Sequence, residues 1–187
     1  MIDMYHTHRQ HRGFTLIEQI AAVAIGATLM ALAVPAMTAL SHRTSMHTTE
    51  NALFTAARLA RTSAVTHNAD ALLCASVDGR HCSHQSTWQH GWIVALDRNR
   101  DGQPDTVALA ARTPDAHTLV RGSAGRTLVR FQPDGAAAGT NITLLICQPS
   151  TDNASARVVI VSNAGRIREA RASTTQQARC EKTADES

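Results

Sequence analysis

The sequence predicts an α+β fold, in which one long N-terminal helix precedes and packs on a β-rich head. Three patterns support this prediction. Residues 14–40 are largely apolar, and Glu18 is their only charge. Apolar residues then recur at helical spacing up to Ala64, so they share one helix face. From Ala71 onward, short apolar runs alternate with turn sequences such as Asp101-Gly102, a pattern typical of antiparallel strands.

Length and composition allow one head domain. The chain has 187 residues, and the roughly 120–140 that remain after leader and stem suit a single domain. We predict a leader at 1–13, a transmembrane or stem helix at 14–40, a globular domain at 41–180 and a disordered tail at 181–187. The formal net charge is only +3, and Lys182 is the only lysine, so arginine supplies the other cations.

The helix is predicted to run from residue 14 to about residue 67. At ~1.5 Å per residue its apolar part is about 30 Å long, which is enough to cross a bilayer core. Pro35 should bend or loosen it, because proline lacks a backbone donor and clashes with the preceding turn. Beyond it, one stripe should pack on a sheet: Met46, Leu53, Ala57, Ala60 and Ala64. Three arginines off this stripe should face water: Arg43, Arg58 and Arg61.

Eight strands are predicted after the helix. Turn sequences rich in Gly, Asp, Asn and Pro separate several of them. The strands are placed at 71–76, 91–97, 105–112, 117–121, 126–131, 141–147, 157–162 and 166–170. The apolar run 158–161 indicates a central strand. The polar residues from 174 to 187 indicate a tail, which should be disordered past Cys180.

All four cysteines, Cys74, Cys82, Cys147 and Cys180, follow the apolar segment. The leader is cationic, which keeps it cytoplasmic and places the remainder of the chain across the inner membrane. An even number of cysteines in an oxidising compartment indicates two disulfides, for which three pairings are possible. We favour Cys74–Cys82 with Cys147–Cys180, because this pairing nests no loop within another and ties down the C-terminus.

The junction between leader and apolar segment reads Arg12-Gly13-Phe14-Thr15-Leu16-Ile17-Glu18. It resembles the signal of type IV prepilins and type II secretion pseudopilins. The resemblance implies that a prepilin peptidase cleaves between Gly13 and Phe14 and methylates the new amino group of Phe14. It also implies that Glu18 neutralises the N-terminus of a neighbouring filament subunit, which gives a buried charge a partner. Pro35 stands where such stems commonly carry a helix-breaking proline.

Two other interpretations of this segment stay open. A secretory signal would end in a small-residue cleavage site, which the sequence around Pro35 matches only loosely. A plain single-pass anchor would not need Glu18 beside the junction of Gly13 and Phe14.

A second resemblance covers nearly the whole mature chain. Its landmarks follow in order: Cys74, Asp78-Gly79, Cys82, Trp88, Gly91-Trp92, residues 97–102, residues 131–135, Cys147, residues 165–168 and Cys180. This order resembles the pseudopilin-H and FimT family. The resemblance implies a head of two antiparallel sheets on which the long helix packs.

The late sequence Gly165-Arg166-Ile167-Arg168 is followed by Arg171. In the FimT branch, a Gly-Arg-x-Arg motif is linked to DNA binding in natural transformation, so the resemblance implies that Arg166 and Arg168 bind DNA. We add Arg171 to this predicted DNA-binding group because it follows the motif in a stretch with an excess of cations. On a strand, Arg166 and Arg168 project on the same face. About two to four phosphate contacts would give weak, salt-sensitive and sequence-independent binding. The alternative is a solvated edge strand whose charge discourages edge pairing.

Two constellations have some features of metal sites, and we predict that neither binds a metal. Residues 97–102 repeat the first half of a calcium loop, but Ala108 stands where a bidentate Glu is required. A tight turn capped by its own Asp and Asn side chains fits better. The second group consists of Cys74, His81, Cys82, His84 and His90. The spacing of these residues along the sequence is irregular for a zinc site, so a disulfide beside surface histidines is favoured.

The sequence contains no nucleophile motif and no phosphate-binding glycine loop, so neither an enzyme nor a cofactor is predicted. We predict a minor pilin or pseudopilin of a type IV pilus or type II secretion-type filament that binds DNA non-specifically. It would be a single-pass inner-membrane protein with a periplasmic head before assembly. Its partners would be prepilin peptidase, other pilins, inner-membrane lipid and double-stranded DNA. The alternatives are a structural type II secretion pseudopilin without DNA binding and a free-standing membrane-anchored periplasmic binding domain.

Overall fold

The structure of the chain, a computed structural model, describes residues 15–114, 118–123, 125–148 and 156–184. Within these ranges, two helices and eight strands follow one another, which confirms the α+β class. They are α1 (Leu16–His67), β1 (Ala71–Ala75), β2 (Trp92–Leu96), β3 (Ala110–Arg112), β4 (Leu119–Gly122), β5 (Leu128–Phe131), β6 (Ile142–Cys147), β7 (Ala156–Val161), β8 (Ile167–Arg171) and α2 (Thr174–Ala184). The chain divides into two compact units, Met1–Ser41 and His42–Ser187.

The strands form two antiparallel four-stranded sheets, as predicted. Sheet A has the order β3-β2-β1-β5, and sheet B has the order β4-β6-β7-β8. Each predicted strand has a counterpart, and the run 158–161 lies in β7, an inner strand of sheet B. The third strand is shorter than predicted and begins at Ala110 instead of Asp105. The Asp105 carboxylate accepts the backbone N–H of Arg98, which holds this part of the chain in a loop.

In the second unit, α1 buries the predicted stripe. Met46, Leu53, Ala57, Ala60 and Ala64 are at most 4% exposed. They share one apolar cluster with the inner residues of both sheets, among them Leu73, Val94, Phe131, Leu144 and Val159. Arg58 and Arg61 are exposed as predicted, while the side chain of Arg43 lies outside the described residues. The small alanines on the stripe bring the helix backbone close to the sheets.

A smaller apolar cluster covers the outer face of each sheet, and each contains one disulfide. On sheet A, Leu72 and Ile93 pack with the Cys74–Cys82 pair. On sheet B, Leu145 and Val158 pack with the Cys147–Cys180 pair. The cysteines are therefore joined in the pairing that we favoured from the sequence. Each disulfide fastens a segment that has little apolar surface of its own.

The C-terminal helix α2 was not predicted, because its sequence is polar. Its start is a capping box: the Ser173 N–H donates to Gln176 Oε1 at 2.8 Å, and the Gln176 N–H reaches Ser173 Oγ at 3.4 Å. The helix extends to Ala184, past the point at Cys180 where disorder was expected, and residues 185–187 lie outside the described residues.

The stem part of α1, in the first unit, carries large apolar side chains that are exposed. Leu16, Ile17, Val23 and Met30 are each more than two-thirds exposed, at 79%, 77%, 69% and 71%. Within the ranges that the structure describes, no helix combines the length and the apolarity needed to cross a membrane.

A buried ion pair joins α1 to sheet B. The Glu50 carboxylate is almost inaccessible and accepts a hydrogen bond from Arg157 Nε on β7. His47 Nδ1 lies 3.5 Å from the same carboxylate oxygen. Because Glu50 lies on the buried face of α1, its carboxylate needs a counter-charge, which Arg157 supplies.

Replacing Arg157 by Met should leave the Glu50 charge buried and unpaired. We expect a loss of about 3 kcal/mol in the free energy of unfolding, at the low end for a broken buried pair, because 24% of the Arg157 side chain is exposed. Urea denaturation of the purified chain measures it. The double variant Glu50→Leu/Arg157→Met should recover most of the loss, and Arg112→Met, at an exposed position of β3, is the control. A loss no larger than that of the control would contradict the role assigned to this pair.

Candidate functional site

The predicted processing site lies at the start of the chain. Gly13 and Phe14 lie outside the described residues, so the cleavage site stays a prediction. Glu18 is in the first turn of α1, where its backbone N–H donates to Thr15 O at 3.1 Å, and its side chain is exposed. A carboxylate at this position faces the positive end of the helix dipole. Pro35 lies within α1, which is helical through that position, and its side chain is not described.

The arginine motif begins at a turn that only glycine can form. Gly165 has φ +70°, and a Cβ built on it would lie 1.8 Å from the carbonyl oxygen of Gly135. The Gly165 N–H donates to Ser162 O at 2.8 Å, and the Ala137 N–H donates to Asn163 O at 2.9 Å. The turns at 132–135 and 162–165 therefore pack backbone against backbone, and they fix the entry of the chain into β8.

Arg166 and Arg168 are brought together at the free edge of sheet B. Arg168 lies opposite Ile160, whose side chain packs with the outer cluster, so Arg168 is on the outer face. Arg166 is two residues earlier, and its carbonyl oxygen still accepts the Ser162 N–H at 3.0 Å. By strand alternation it lies on the same side. Both side chains are exposed, and neither forms an ion pair with any side chain that the structure describes.

Arg171 does not share this face, and its assignment to DNA binding stays a prediction. It lies opposite Arg157, whose guanidinium points to Glu50 on α1, so Arg171 is on the inner side of sheet B. Three residues separate it from Arg168, and an odd spacing on a strand reverses the face.

Arg121 shares the outer face with Arg168, and the sequence analysis did not single it out. It is exposed and lies opposite Leu145, a member of the outer cluster. This position is known only from the strand order of sheet B, because no sequence pattern shows that β4 pairs with β6.

The calcium-like loop is closed by its own side chains. Asp97 is fully buried and accepts the N–H groups of Asp101 and Gly102, each at 3.1 Å. Arg130 Nη2 lies 3.0 Å from the same carboxylate. This is the capped turn that we predicted. Within the described ranges, no group of three or more His, Cys, Asp and Glu residues could hold a metal ion.

The histidine-rich loop is held by hydrogen bonds and by the Cys74–Cys82 disulfide, which occupies both thiols. His81 Nδ1 lies 2.6 Å from Asp78 Oδ2. This side-chain contact has the largest effect on the pKa of Asp78, and hydrogen bonds from the backbone N–H groups of His81 and Arg80 add to it. Together they hold the pKa of Asp78 well below its usual range. His84 Nε2 lies 2.7 Å from the Gln103 amide nitrogen.

The family follows from comparison with known proteins. A family model described as "Type II transport protein GspH" matches residues 50–165, more than half of the chain. The chain belongs to the GspH family. A second model, the prokaryotic N-terminal methylation motif, matches residues 8–34. The GspH match ends at Gly165, so Arg166 and Arg168 lie just outside it.

Solved structures support the same fold for this GspH-family chain. Two crystal structures of the type IV minor pilin FimU from Pseudomonas aeruginosa are similar to it. The first is 22% identical, with a TM-score of 0.54 over 67% of this chain and 88% of FimU. The second is 21% identical, with a TM-score of 0.52 over 68% and 91%. The search of curated proteins gives no match.

The GspH family and the methylation motif establish the general role. The chain is a minor pilin or pseudopilin subunit of a type IV pilus or type II secretion-type filament. Its family and fold are those of structural subunits and not of enzymes. The motif implies prepilin peptidase and other pilins as partners.

Replacing Gly165 by Ala should disturb the turn that places Arg166. We expect a loss of about 3 kcal/mol or more in the free energy of unfolding, because the new Cβ adds a backbone clash to the cost of positive φ. Thermal and urea denaturation measure the loss. Gly139→Ala is the matched control: Gly139 has φ +76° but no atom within 4 Å of a Cβ, so about 1–2 kcal/mol is expected. Equal losses in the two variants would show that the contact with Gly135 does not constrain the turn.

Proposed function

We propose that the chain is a minor pilin of a type IV pilus that holds double-stranded DNA non-specifically through Arg166 and Arg168. The observation that carries the proposal is this exposed arginine pair on the edge strand β8, which has no ion-pair partner among the described side chains. An unpaired guanidinium is available to a phosphate, which it can bind in a bidentate manner.

The aromatic residues of the head support contact with phosphates instead of bases. Trp88, Trp92 and Phe131 are at most 2% exposed, and Phe54 is partly covered beside Arg58. Stacking on single-stranded bases requires accessible rings. Binding through Arg166 and Arg168 would therefore be sequence-independent and salt-sensitive.

Filament assembly is proposed to depend on the N-terminal end of α1. Cleavage between Gly13 and Phe14, methylation of Phe14 and a single-pass inner-membrane anchor with a periplasmic head would precede assembly. The exposed apolar side chains of the stem support this sequence of events, because large apolar patches mark surfaces that associate with lipid or protein. Glu18 would then pair with the amino group of a neighbouring subunit.

The second candidate is a structural type II secretion pseudopilin that does not bind DNA. The observation that favours it is the end of the GspH match at Gly165, because the family alone assigns no role to Arg166 and Arg168. In this case the two arginines would only keep the edge of sheet B soluble.

The variant Glu18→Ala should fail to enter filaments while it is still processed normally. The reason is that the amino group of a neighbouring Phe14 would be buried without a counter-charge. Sheared pili, blotted for this subunit, measure incorporation, and mass spectrometry of the cellular protein measures leader removal and methylation. Gln19→Ala is the control in the same helical turn. Normal incorporation of Glu18→Ala would refute the assembly role, and an intact leader on the unaltered protein would refute the maturation.

The variant Arg166→Gln/Arg168→Gln should lose DNA binding. We expect the full chain in non-ionic detergent to retard duplex DNA at low salt and less at moderate salt. The double variant should lower the slope of log affinity against log salt by about two, because each phosphate contact contributes about 0.9. Arg98→Gln/Arg112→Gln removes the same charge from two exposed positions elsewhere and is the control. If neither double variant differs from the parent, or if the parent never retards DNA, the secretion alternative is favoured.

A further inference from the structure

We infer that the contact surface for duplex DNA has a second cationic edge at Arg121 on β4. This inference rests on the proposed function, and it adds a residue and a footprint. Arg121 lies on the outer face of sheet B, which comprises the side chains of this sheet that point away from α1; Leu145 and Val158, between the two edges, are buried, so contact is assigned to the edges.

The register of sheet B places Arg121 and Arg168 on this one face. Arg121 lies opposite Leu145, and Leu145 lies opposite Val158. Val158 in turn lies opposite Ala170, two residues from Arg168 along β8. Leu145, Val158 and Ala170 all belong to the outer cluster. The two arginines therefore lie at opposite edges of the same face. Arg121 is in the row of paired residues that ends at Ala170, and Arg168 is in the next row along the strands.

The charges of sheet B are separated by face. Glu169 is the only acid in its four strands, and it lies opposite Val159, a residue of the main core, so it is on the inner side. Arg157, also on that side, is paired with Glu50. On their outer face these strands carry cations and no acid, so the strand side chains contribute a positive field on that side.

The spacing of the two edges suits a duplex. Three strand intervals of ~4.8 Å place them about 14 Å apart. This is close to the rise of about four base pairs along one strand of B-DNA, and also to the ~12 Å width of its major groove. A duplex holds phosphates at fixed separations of this size, whereas a flexible single strand does not. The strands of sheet B carry no aromatic residue on which single-stranded bases could stack.

The test compares Arg121→Gln with variants at the other edge, in the full chain in non-ionic detergent. Fluorescence anisotropy measures binding to a labelled duplex of mixed sequence and to a single strand of the same length. We expect Arg121→Gln to weaken duplex binding about eightfold at 0.1 M salt and to lower the salt slope by about 0.9, which is one phosphate contact. Arg121→Lys, which keeps the charge, should stay close to the parent. Circular dichroism verifies the fold of each variant.

The controls separate this inference from the proposed function. Arg112→Gln, on β3 of sheet A, removes one exposed arginine away from the outer face and should have little effect. If Arg166→Gln/Arg168→Gln abolishes binding while Arg121→Gln matches Arg112→Gln, only the second edge is refuted. If the double variant binds like the parent, the proposed function itself fails. Binding of the single strand as tightly as the duplex would overturn the assignment of the ligand.

Discussion

Burial of the second half of α1 against both sheets is the constraint on which the head depends. Sheets A and B share no strand, and their inner residues meet in one cluster that includes Leu53, Ala57 and Ala60. The alanines let the helix approach closely, and the pairing of Glu50 with Arg157 sets its position against sheet B. In some proteins a buried ionic pair adds specificity to the packing, and we infer this role for the pair of Glu50 and Arg157.

The outer faces of the sheets are covered in a different way from the inner faces. Among the described elements, neither a long helix nor a second sheet covers them, and each carries a small cluster closed by one disulfide. On sheet B, the Cys147–Cys180 bond fastens α2 over one end of the face. At the two edges of this face, the side chains of Arg121 and Arg168 are exposed, while Leu145 and Val158 between them are buried. A surface that combines a rigid sheet with exposed cations therefore follows from the way the core is covered.

Much of this fold could be predicted because the sequence patterns are local. The stripe from Met46 to Ala64 and the alternating strands indicate which of their residues are buried. The sequence allowed three cysteine pairings, and the favoured one is the pairing that the structure forms. The parts that were missed depend on other segments. Helix α2 has no apolar face, and only the capping box at Ser173 and Gln176 indicates where it begins. Arg171 and Arg121 could not be assigned to faces before the strand bounds and the register were known.

The Gly-Arg-x-Arg sequence combines two different requirements. Its glycine is required by the fold, since any side chain at Gly165 would collide with the backbone of Gly135. This head needs that glycine whether or not it binds a ligand, so its presence alone says nothing about DNA. Within the described part of the chain, no ion pair fixes the side chains of the two arginines, which are exposed, and the turn holds their backbone whatever side chain they have. Any functional signal must therefore lie in the charge of Arg166 and Arg168 and in the face on which they lie. A filament subunit could gain or lose it by substitution there without disturbing the core.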